Sequence, residues 1–279
     1  MARKSLLYWD SFLKHRKVKE AGFIESLKEI QRDPQFYQYL NLFVQYMINQ
    51  KLHPRTVRSY FSSIKGYLRS QGFRIYNEDV KQFIKLPKIY KEQKVPLEKQ
   101  TIEKMLKKAS PKLRLCILGL VTSGMRSSEL LQLKKSDLQE PKVIIRPEIT
   151  KTGAGRTTYF SKQTWSLLAP VLSRKDKNDY VFGSNYRPLK SLLELENRFG
   201  ELREALHISN RYTTSRVHTI TLHRLRAFCK TQASEACGKD YAEGLIGHEG
   251  YLSTYYNLTE EAKYSNYINK LEPLLTFKI

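Results

Sequence analysis

A lysine-rich segment bounded by Pro87 and Pro96 divides this chain into two parts, and it limits the folds that either part can adopt. The segment between the prolines has little hydrophobic periodicity, and proline interrupts helices and central strands alike. Residues 86–97 are therefore predicted to be a linker. A helical domain of residues 1–85 would precede it and a second domain of residues 98–279 would follow, a division that suits a chain of 279 residues.

The chain is strongly basic, with 49 lysine and arginine residues against 27 aspartate and glutamate residues and a formal net charge of +22. The parts before and after the linker share this excess, so it does not come from a single basic tail. Such a distribution favours a polyanionic partner, and nucleic acid is the leading candidate. From charge alone, the alternative is a soluble basic protein without such a partner.

Cysteine spacing and hydropathy favour an intracellular protein. Cys116, Cys229 and Cys237 form no CxxC pair, which argues against a zinc site or a disulfide framework and fits a reducing compartment. The chain has no run of about 18 apolar residues that could span a membrane. Residues 1–7 lack the apolar run of a signal peptide. We therefore expect a cytoplasmic protein without a membrane partner.

Residues 55–70 have the periodicity of an amphipathic helix that ends before Gly72. The apolar face consists of Val57, Phe61, Ile64 and Leu68. A second face carries basic side chains, namely Arg55, Arg58, Lys65 and Arg69. A helix with both faces is suited to pack inward and to lay its outer side on phosphates, although a solvated surface helix would show the same pattern.

The second domain is predicted to be rich in helices, with one small antiparallel sheet. The apolar run of residues 113–121 is short enough for a strand or a helix, and we favour a buried helix. Residues 127–133 are predicted to form a short helix. Residues 143–149 and 156–160 are β-rich and flank a glycine-containing turn, which predicts a hairpin. The fold class is therefore mainly α, with a helical first domain.

Several residues with catalytic potential follow one another in a fixed order along the second domain. Arg126 stands in a short turn before a helix, with Glu129 three residues later. His223 and Arg226 are spaced i, i+3, so they share one face of a helix. The remaining members are Lys151 beside the hairpin turn, His248 after a glycine, and the adjacent Tyr255 and Tyr256.

This ordered set resembles the tyrosine recombinase, or phage integrase, family over roughly residues 98–279. The family pattern is an Arg in a TGxRxxE turn, a Lys in a β-hairpin, His-x-x-Arg, Gly-His and a nucleophilic Tyr, and the turn here reads TSGMRSSE. The ending IGHEG…STYYN…LEPLLTF is most similar to archaeal members. The resemblance implies a DNA-cutting and rejoining enzyme that acts through a 3′-phosphotyrosine, without metal, ATP or another cofactor.

The resemblance also implies a role for each matching residue, and the chemistry explains the residue types. Arg126 and Arg226 would grip the non-bridging oxygens of the pentacovalent phosphate, whose added negative charge suits bidentate guanidinium groups. His223 would be the general base that deprotonates the tyrosine. Three further roles are implied: His248 as a phosphate ligand, Lys151 as the acid for the leaving 5′ oxygen, and Glu129 as a support for the site.

The identity of the nucleophile stays open between two neighbouring tyrosines. The distance from His248 favours Tyr256, because family members often have about nine residues in this gap. The downstream pattern Tyr-x-x-Leu-Thr favours Tyr255, and insertions fall more easily in the loop than in the helix of the tyrosine. We prefer Tyr255. Only one of them can serve, because adjacent helical residues point about 100° apart.

The family further implies a tetramer on two DNA duplexes, formed by protomers that clamp double-stranded DNA. Within residues 262–279, helical spacing of apolar side chains predicts a segment that docks onto a neighbouring protomer; its members are Tyr264, Tyr267, Ile268 and Leu271. Three alternatives remain: a type IB topoisomerase, a non-catalytic DNA-binding regulator and a metal-dependent nuclease. The target sequence stays open, as does whether the chain acts on a viral genome, on a plasmid or on a replicated chromosome dimer.

Overall fold

The structure is a computed structural model that describes residues 2–17, 20–30, 33–90, 92–215, 217–247 and 258–279. Its contacts divide the chain into two compact units, Met1–Glu92 and Gln93–Ile279. The described parts of both units are mainly helical, and the second contains a small antiparallel sheet. The predicted fold class is therefore confirmed. None of the described helices is both long and apolar enough to cross a membrane.

The first unit consists of helices in its described part. They are α1 (Ala2–His15), α2 (Glu20–Glu29), α3 (Pro34–Asn49), α4 (Pro54–Ser70) and α5 (Asn77–Phe83). Helix α4 begins where the His53 side chain accepts the backbone N–H of Arg55, with Pro54 at the first helical position. The four apolar residues predicted for its inner face are buried, with 0–3% of their surface exposed. Helix α4 therefore packs inward as its periodicity predicts.

The second unit surrounds the nearly apolar helix α7 (Pro111–Ser123). The other helices described here are α6 (Lys99–Lys108), α8 (Ser127–Leu131), α9 (Lys162–Leu172), α10 (Ser191–Ala205), α11 (Leu222–Cys237), α12 (Lys239–Ile246) and α13 (Glu260–Asn266). Helix α7 confirms the buried helix predicted for residues 113–121, because its residues from Cys116 to Ser123 are all buried. A helix was the better choice because the apolar residues surround this segment on every side rather than alternating.

The sheet has three antiparallel strands in the order β1 (Leu138–Gln139), β2 (Lys142–Ile145) and β3 (Arg156–Tyr159). The predicted hairpin is formed by β2 and β3, which pair Ile145 with Arg156. Strand β2 ends at Ile145, earlier than the predicted residue 149, because Pro147 lacks a backbone N–H and begins a short 3-10 turn. The two-residue strand β1 was not predicted.

The C-terminal segment packs into the core of its own unit. Tyr267, Leu271 and Leu275 are 0% exposed within the single chain. The Gln163 side chain donates to the Phe277 carbonyl oxygen at 2.7 Å and accepts its backbone N–H at 3.1 Å. The prediction that this apolar face docks onto a neighbouring protomer is therefore wrong for Tyr267 and Leu271, because the same chain already buries them.

Candidate active site

A left-handed glycine places Arg126 at the start of α8. Helix α7 ends at Ser123 and is capped by Gly124, whose φ is 64°, a conformation that glycine adopts without steric cost. A Cβ on Gly124 would lie 2.9 Å from Cγ2 of Ile246 and 3.2 Å from Sγ of Cys229. Backbone angle and close packing therefore both require glycine here, and the turn brings Arg126 out of the core two residues later.

Glu129 fixes the orientation of Arg126. One oxygen of the carboxylate accepts the backbone N–H of Arg126 at 2.8 Å, and the other accepts Nη1 of the same residue at 2.7 Å. Glu129 is 0% exposed, whereas 24% of the Arg126 side chain is accessible. The buried carboxylate thus caps the first turn of α8 and holds a guanidinium group that still faces the surface.

Two further arginines surround the same carboxylate. Nη2 of Arg156 lies 2.7 Å from Oε2 of Glu129, and Nη1 of Arg226 lies 3.9 Å from that oxygen. Burial raises the pKa of Glu129, but hydrogen bonds and charge from Arg156 and Arg126 outweigh it and hold the pKa below its usual range. The carboxyl group is therefore ionised at neutral pH, and three guanidinium groups leave the cluster with an excess of positive charge.

Arg226 is a buried residue of α11. It donates from Nη1 to the carbonyl oxygen of Gly124 at 2.6 Å and from Nη2 to that of Ile246 at 2.7 Å. Burial, and then the positive charge of Arg126, lowers the pKa of Arg226 to about 10. The side chain stays protonated at neutral pH, and the two carbonyl groups hold it between the ends of α7 and α12.

His223 lies in the first turn of α11 and is exposed. Partial desolvation lowers its pKa, and the positive charges of Arg226, Lys94 and Arg224 lower it further. The imidazole is therefore mainly neutral at pH 7, the form that can accept a proton.

The segment before α6 is fastened beside His223. The Arg224 guanidinium donates from Nη2 to the carbonyl oxygen of Val95. The backbone N–H of Val95 in turn donates to the Tyr212 hydroxyl at 3.1 Å. These contacts hold Lys94 close enough to act on the His223 charge. The sequence predicted a lysine-rich linker but not this position for Lys94.

Lys151 is exposed in the segment that joins the 3-10 turn at Pro147 to β3. Among the described residues, no hydrogen bond or ion pair links it to Glu129 or to the arginines around it. The structure thus brings Arg126, Glu129 and Arg226 together, places His223 within electrostatic range of both arginines, and leaves Lys151 on the surface.

Sequence reasoning missed Arg156, although it contacts Glu129 more closely than Arg226 does. Its position at the start of a strand, in a hairpin already predicted to carry Lys151, was the available signal. Its partners are 27 and 89 residues away in sequence. Local periodicity contains no information about contacts at such separations.

Three predicted residues, His248, Tyr255 and Tyr256, lie outside the described residues. The residue before them, Gly247, ends α12 with φ at 68°. Within the parts of the chain that are described, no group of three or more His, Cys, Asp or Glu side chains is arranged to hold a metal ion.

The basic face of α4 is largely accessible, but three of its four cations also bind acceptors of their own unit. These bonds are Arg58 Nε to the Pro87 carbonyl at 2.9 Å, Lys65 Nζ to Asn77 Oδ1 at 3.2 Å and Arg69 Nη2 to the Ile75 carbonyl at 2.6 Å. Each of these side chains keeps further N–H donors. Contacts of this face with DNA stay a prediction, as they do for Arg55.

Comparisons with known proteins agree on one family. Residues 74–261 match the phage integrase family. The tyrosine recombinase XerA of the archaeon Thermococcus kodakarensis is 24% identical over 214 residues, which cover 74% of this chain and 72% of that protein.

Two solved structures show the same fold. A lambda integrase(75–356) dimer bound to a COC′ core site has a TM-score of 0.60 at 16% identity, and the match covers 92% of this chain and 98% of that one. A lambda integrase tetramer bound to a Holliday junction has a TM-score of 0.57 at 16% identity, covering 93% of this chain and 80% of that one.

Proposed function

The chain belongs to the phage integrase family and is a site-specific tyrosine recombinase, and from this premise we propose that it cuts and rejoins duplex DNA through a covalent 3′-phosphotyrosine. One observation carries the proposal: Arg126 and Arg226 converge on the buried Glu129, next to a neutral His223. Such a cluster suits a phosphodiester whose negative charge increases as it is attacked.

The two arginines would stabilise the transition state. Attack on a phosphodiester adds negative charge to the non-bridging oxygens, and preorganised cations meet this charge without reorganisation. Glu129 supports the assignment because it orients Arg126 while leaving part of that side chain accessible. Arg226 keeps its charge at neutral pH and is held by two carbonyl groups. Both features fit groups that must be in place before DNA arrives.

His223 would take the proton of the attacking tyrosine. A phenol with a pKa near 10 is a weak nucleophile at neutral pH, so it needs a base as it attacks. The lowered pKa of His223 keeps the imidazole ready to accept that proton. We assign the nucleophile to Tyr255, with Tyr256 as the alternative. The phosphate ester that forms retains the energy of the broken bond, so rejoining requires no ATP.

Lys151 would protonate the 5′ oxygen that leaves, and His248 would hydrogen-bond the phosphate. The exposed position of Lys151 on the segment before β3 suits a group that meets DNA only when the duplex is bound. When rejoining reverses the reaction, the same lysine would remove the proton from the attacking 5′ hydroxyl, as microscopic reversibility requires.

We further propose that four protomers act on two duplexes, because strand exchange joins ends from two DNA molecules. The structural relative with a tetramer on a Holliday junction supports this arrangement. Residues 1–85 would form a DNA-clamping domain, residues 86–97 a linker and residues 98–279 the catalytic domain. The excess of basic residues on both sides of the linker supports contact with the duplex by both domains.

The test is covalent capture on DNA without divalent metal. A pool of nicked duplexes with randomised sequence is incubated with the protein in EDTA, and adducts that survive denaturation are isolated and sequenced. We expect adducts carrying a defined sequence, formed equally well by the exposed-surface control Arg174→Ala. Activity that requires magnesium would contradict the mechanism. The selected sequence, placed on two duplexes, then separates strand exchange from the relaxation expected of a topoisomerase.

A further inference from the structure

Arg156 makes a bidentate contact with Glu129. Nη2 lies 2.7 Å from Oε2 and Nη1 lies 3.3 Å from Oε1, and 8% of the Arg156 side chain is exposed. Each carboxylate oxygen therefore binds Arg156 as well as the side chain or the backbone of Arg126. The fork geometry of guanidinium fits this arrangement, whereas a lysine could approach only as a point charge.

The same side chain supports the end of α12. Its Nε donates to the carbonyl oxygen of Leu245 at 3.1 Å. A Cβ on Gly247 would lie 2.8 Å from Cδ of Arg156 and 3.0 Å from its Nη1, so the glycine backbone packs directly against this side chain. Arg156 thus connects Glu129 to the turn that immediately precedes His248.

The charges give Arg156 a specific effect on the other two arginines. Glu129 is buried and ionised, so its negative charge must be balanced by neighbouring cations. With Arg156 present, a third cation shares that charge. Without it, the carboxylate would be neutralised by Arg126 and Arg226 alone, and both would present less positive potential to a phosphate.

We propose that Arg156 is a positioning residue for strand cleavage: it compensates the charge of Glu129, which leaves Arg126 and Arg226 available to the phosphate, and it fixes the turn before His248. This assignment rests on the function proposed above. It differs from a purely structural role because its main effect is electrostatic. Removing the charge of the Glu129 carboxylate should therefore restore part of the cleavage rate that is lost with Arg156.

The test compares single-turnover adduct formation by four variants on the nicked duplex selected by the wild-type protein. Arg156→Gln should slow adduct formation at least thirtyfold with little change in DNA affinity, because the fork and its charge are lost. The rate of adduct formation by Arg156→Lys should lie between those of Arg156→Gln and the wild type. Adding Glu129→Gln to Arg156→Gln should increase the rate at least fivefold over Arg156→Gln alone, while Glu129→Gln by itself should be slower than the wild type.

Arg146→Gln is the matched control. Arg146 follows β2, donates from Nε to Asp137 at 3.1 Å and from Nη2 to the Gln132 carbonyl at 3.0 Å, and has no role in the proposed reaction. The Arg146→Gln variant should be less stable than the wild type, yet its cleavage rate should lie within threefold of the wild-type rate. Rates are compared at a temperature at which thermal unfolding shows every variant to be folded. Arg156→Gln cleaving within threefold of the wild type, or a double variant no faster than Arg156→Gln, would overturn the proposal.

A measurement without DNA separates this inference from the proposed function. The carboxyl carbon of Glu129, observed by NMR during a pH titration, should report a higher pKa in Arg156→Gln than in the wild type. An unchanged pKa would exclude charge compensation whether or not the protein cleaves DNA. Absence of adducts from the wild type, together with a raised pKa in the variant, would contradict the cleavage function and leave the compensation intact.

Discussion

Nη1 of Arg226 donates a hydrogen bond of 2.6 Å to the carbonyl oxygen of Gly124, a residue 102 positions earlier in the sequence. This bond connects α11 to the turn that delivers Arg126. A residue proposed to act on the phosphate is therefore also part of the packing that forms the site, so its two roles must be measured separately.

Arg226→Ala should lower the free energy of unfolding by about 3 kcal/mol or more, because it removes one partner from a buried network that includes Glu129. The carbonyl groups of Gly124 and Ile246 would lose their donor as well. Urea unfolding measures this change. Stability within about 1 kcal/mol of the wild type would mean that the network does not depend on this side chain.

Arg126→Ala should have a different effect, because its side chain is partly exposed and Glu129 keeps its contact with Arg156. We expect a small change in stability and a loss of cleavage of about 10²–10³-fold, the magnitude typical of one missing transition-state donor. DNA affinity should stay nearly unchanged, because we expect many other basic residues to share the binding of the duplex. Cleavage within about tenfold of the wild type would refute the role assigned to Arg126.

The pH dependence of adduct formation should reflect His223. Its folded-state pKa lies below 6.5, so the neutral base predominates above that pH and is lost as the pH falls through the folded value. At DNA concentrations below saturation, where the pH profile reports the free protein, the rate should therefore be level near pH 7 and fall at a midpoint below 6.5. Lys94→Ala should move this midpoint upward, because Lys94 is one of the cations that lower the pKa.

A stopped-flow or quench-flow rate profile with the nicked duplex provides the measurement, and Arg174→Ala is the control whose midpoint should not move. A midpoint above 6.5 in the wild type would argue against His223 as the base. An unchanged midpoint in Lys94→Ala would show that Lys94 is too far away to act on the imidazole in solution.

Binding should weaken steeply with salt. About ten phosphate contacts predict a slope of log K against log salt near −9, since each contact contributes about −0.9. If the basic face of α4 lies on DNA, Arg55→Ala should make this slope shallower by about 0.9, the contribution of one phosphate contact. Equilibrium titrations across a series of salt concentrations test both values, and a total slope shallower than about −3 would contradict a protein that clamps the duplex.

Tyr255→Phe should bind DNA normally but form no covalent adduct, whereas Tyr256→Phe should still form one. Phenylalanine removes only the hydroxyl group that would attack the phosphate, so binding should persist in both variants. Mass spectrometry of the wild-type adduct after proteolysis identifies the modified residue directly. Attachment of the DNA to Tyr256 would make that residue the nucleophile instead of Tyr255, and the family assignment of the chain would stand.

The hydrophobic pattern of the sequence was sufficient to predict the helices whose burial follows that pattern. The inner face of α4 and the apolar helix α7 were predicted because burial repeats every three to four residues or surrounds the helix. The family was identified from the order of the whole set of motif residues: Arg126, Lys151, His223, Arg226, His248 and the pair Tyr255 and Tyr256. Both kinds of information are local or depend on sequence order.

Contacts between distant segments could not be predicted in this way. Arg156 reaches Leu245 across 89 positions, and Val95 reaches Tyr212 across 117. The apolar spacing of the C-terminal segment correctly indicated burial but not which surface would bury it, so Tyr267 was assigned to a neighbouring protomer. Amphipathic patterns determine which residues leave water, and the topology of the whole unit determines their partners.

The three guanidinium groups around Glu129 also affect the energetics of the free protein. Like charges held this close repel one another, so the folded chain without DNA carries an electrostatic strain that one carboxylate only partly relieves. An anion bound beside them relieves the rest and binds the folded state alone. Ligand binding is thereby linked to unfolding, and the chain should unfold at a higher temperature when a phosphate occupies this site than when the site is free.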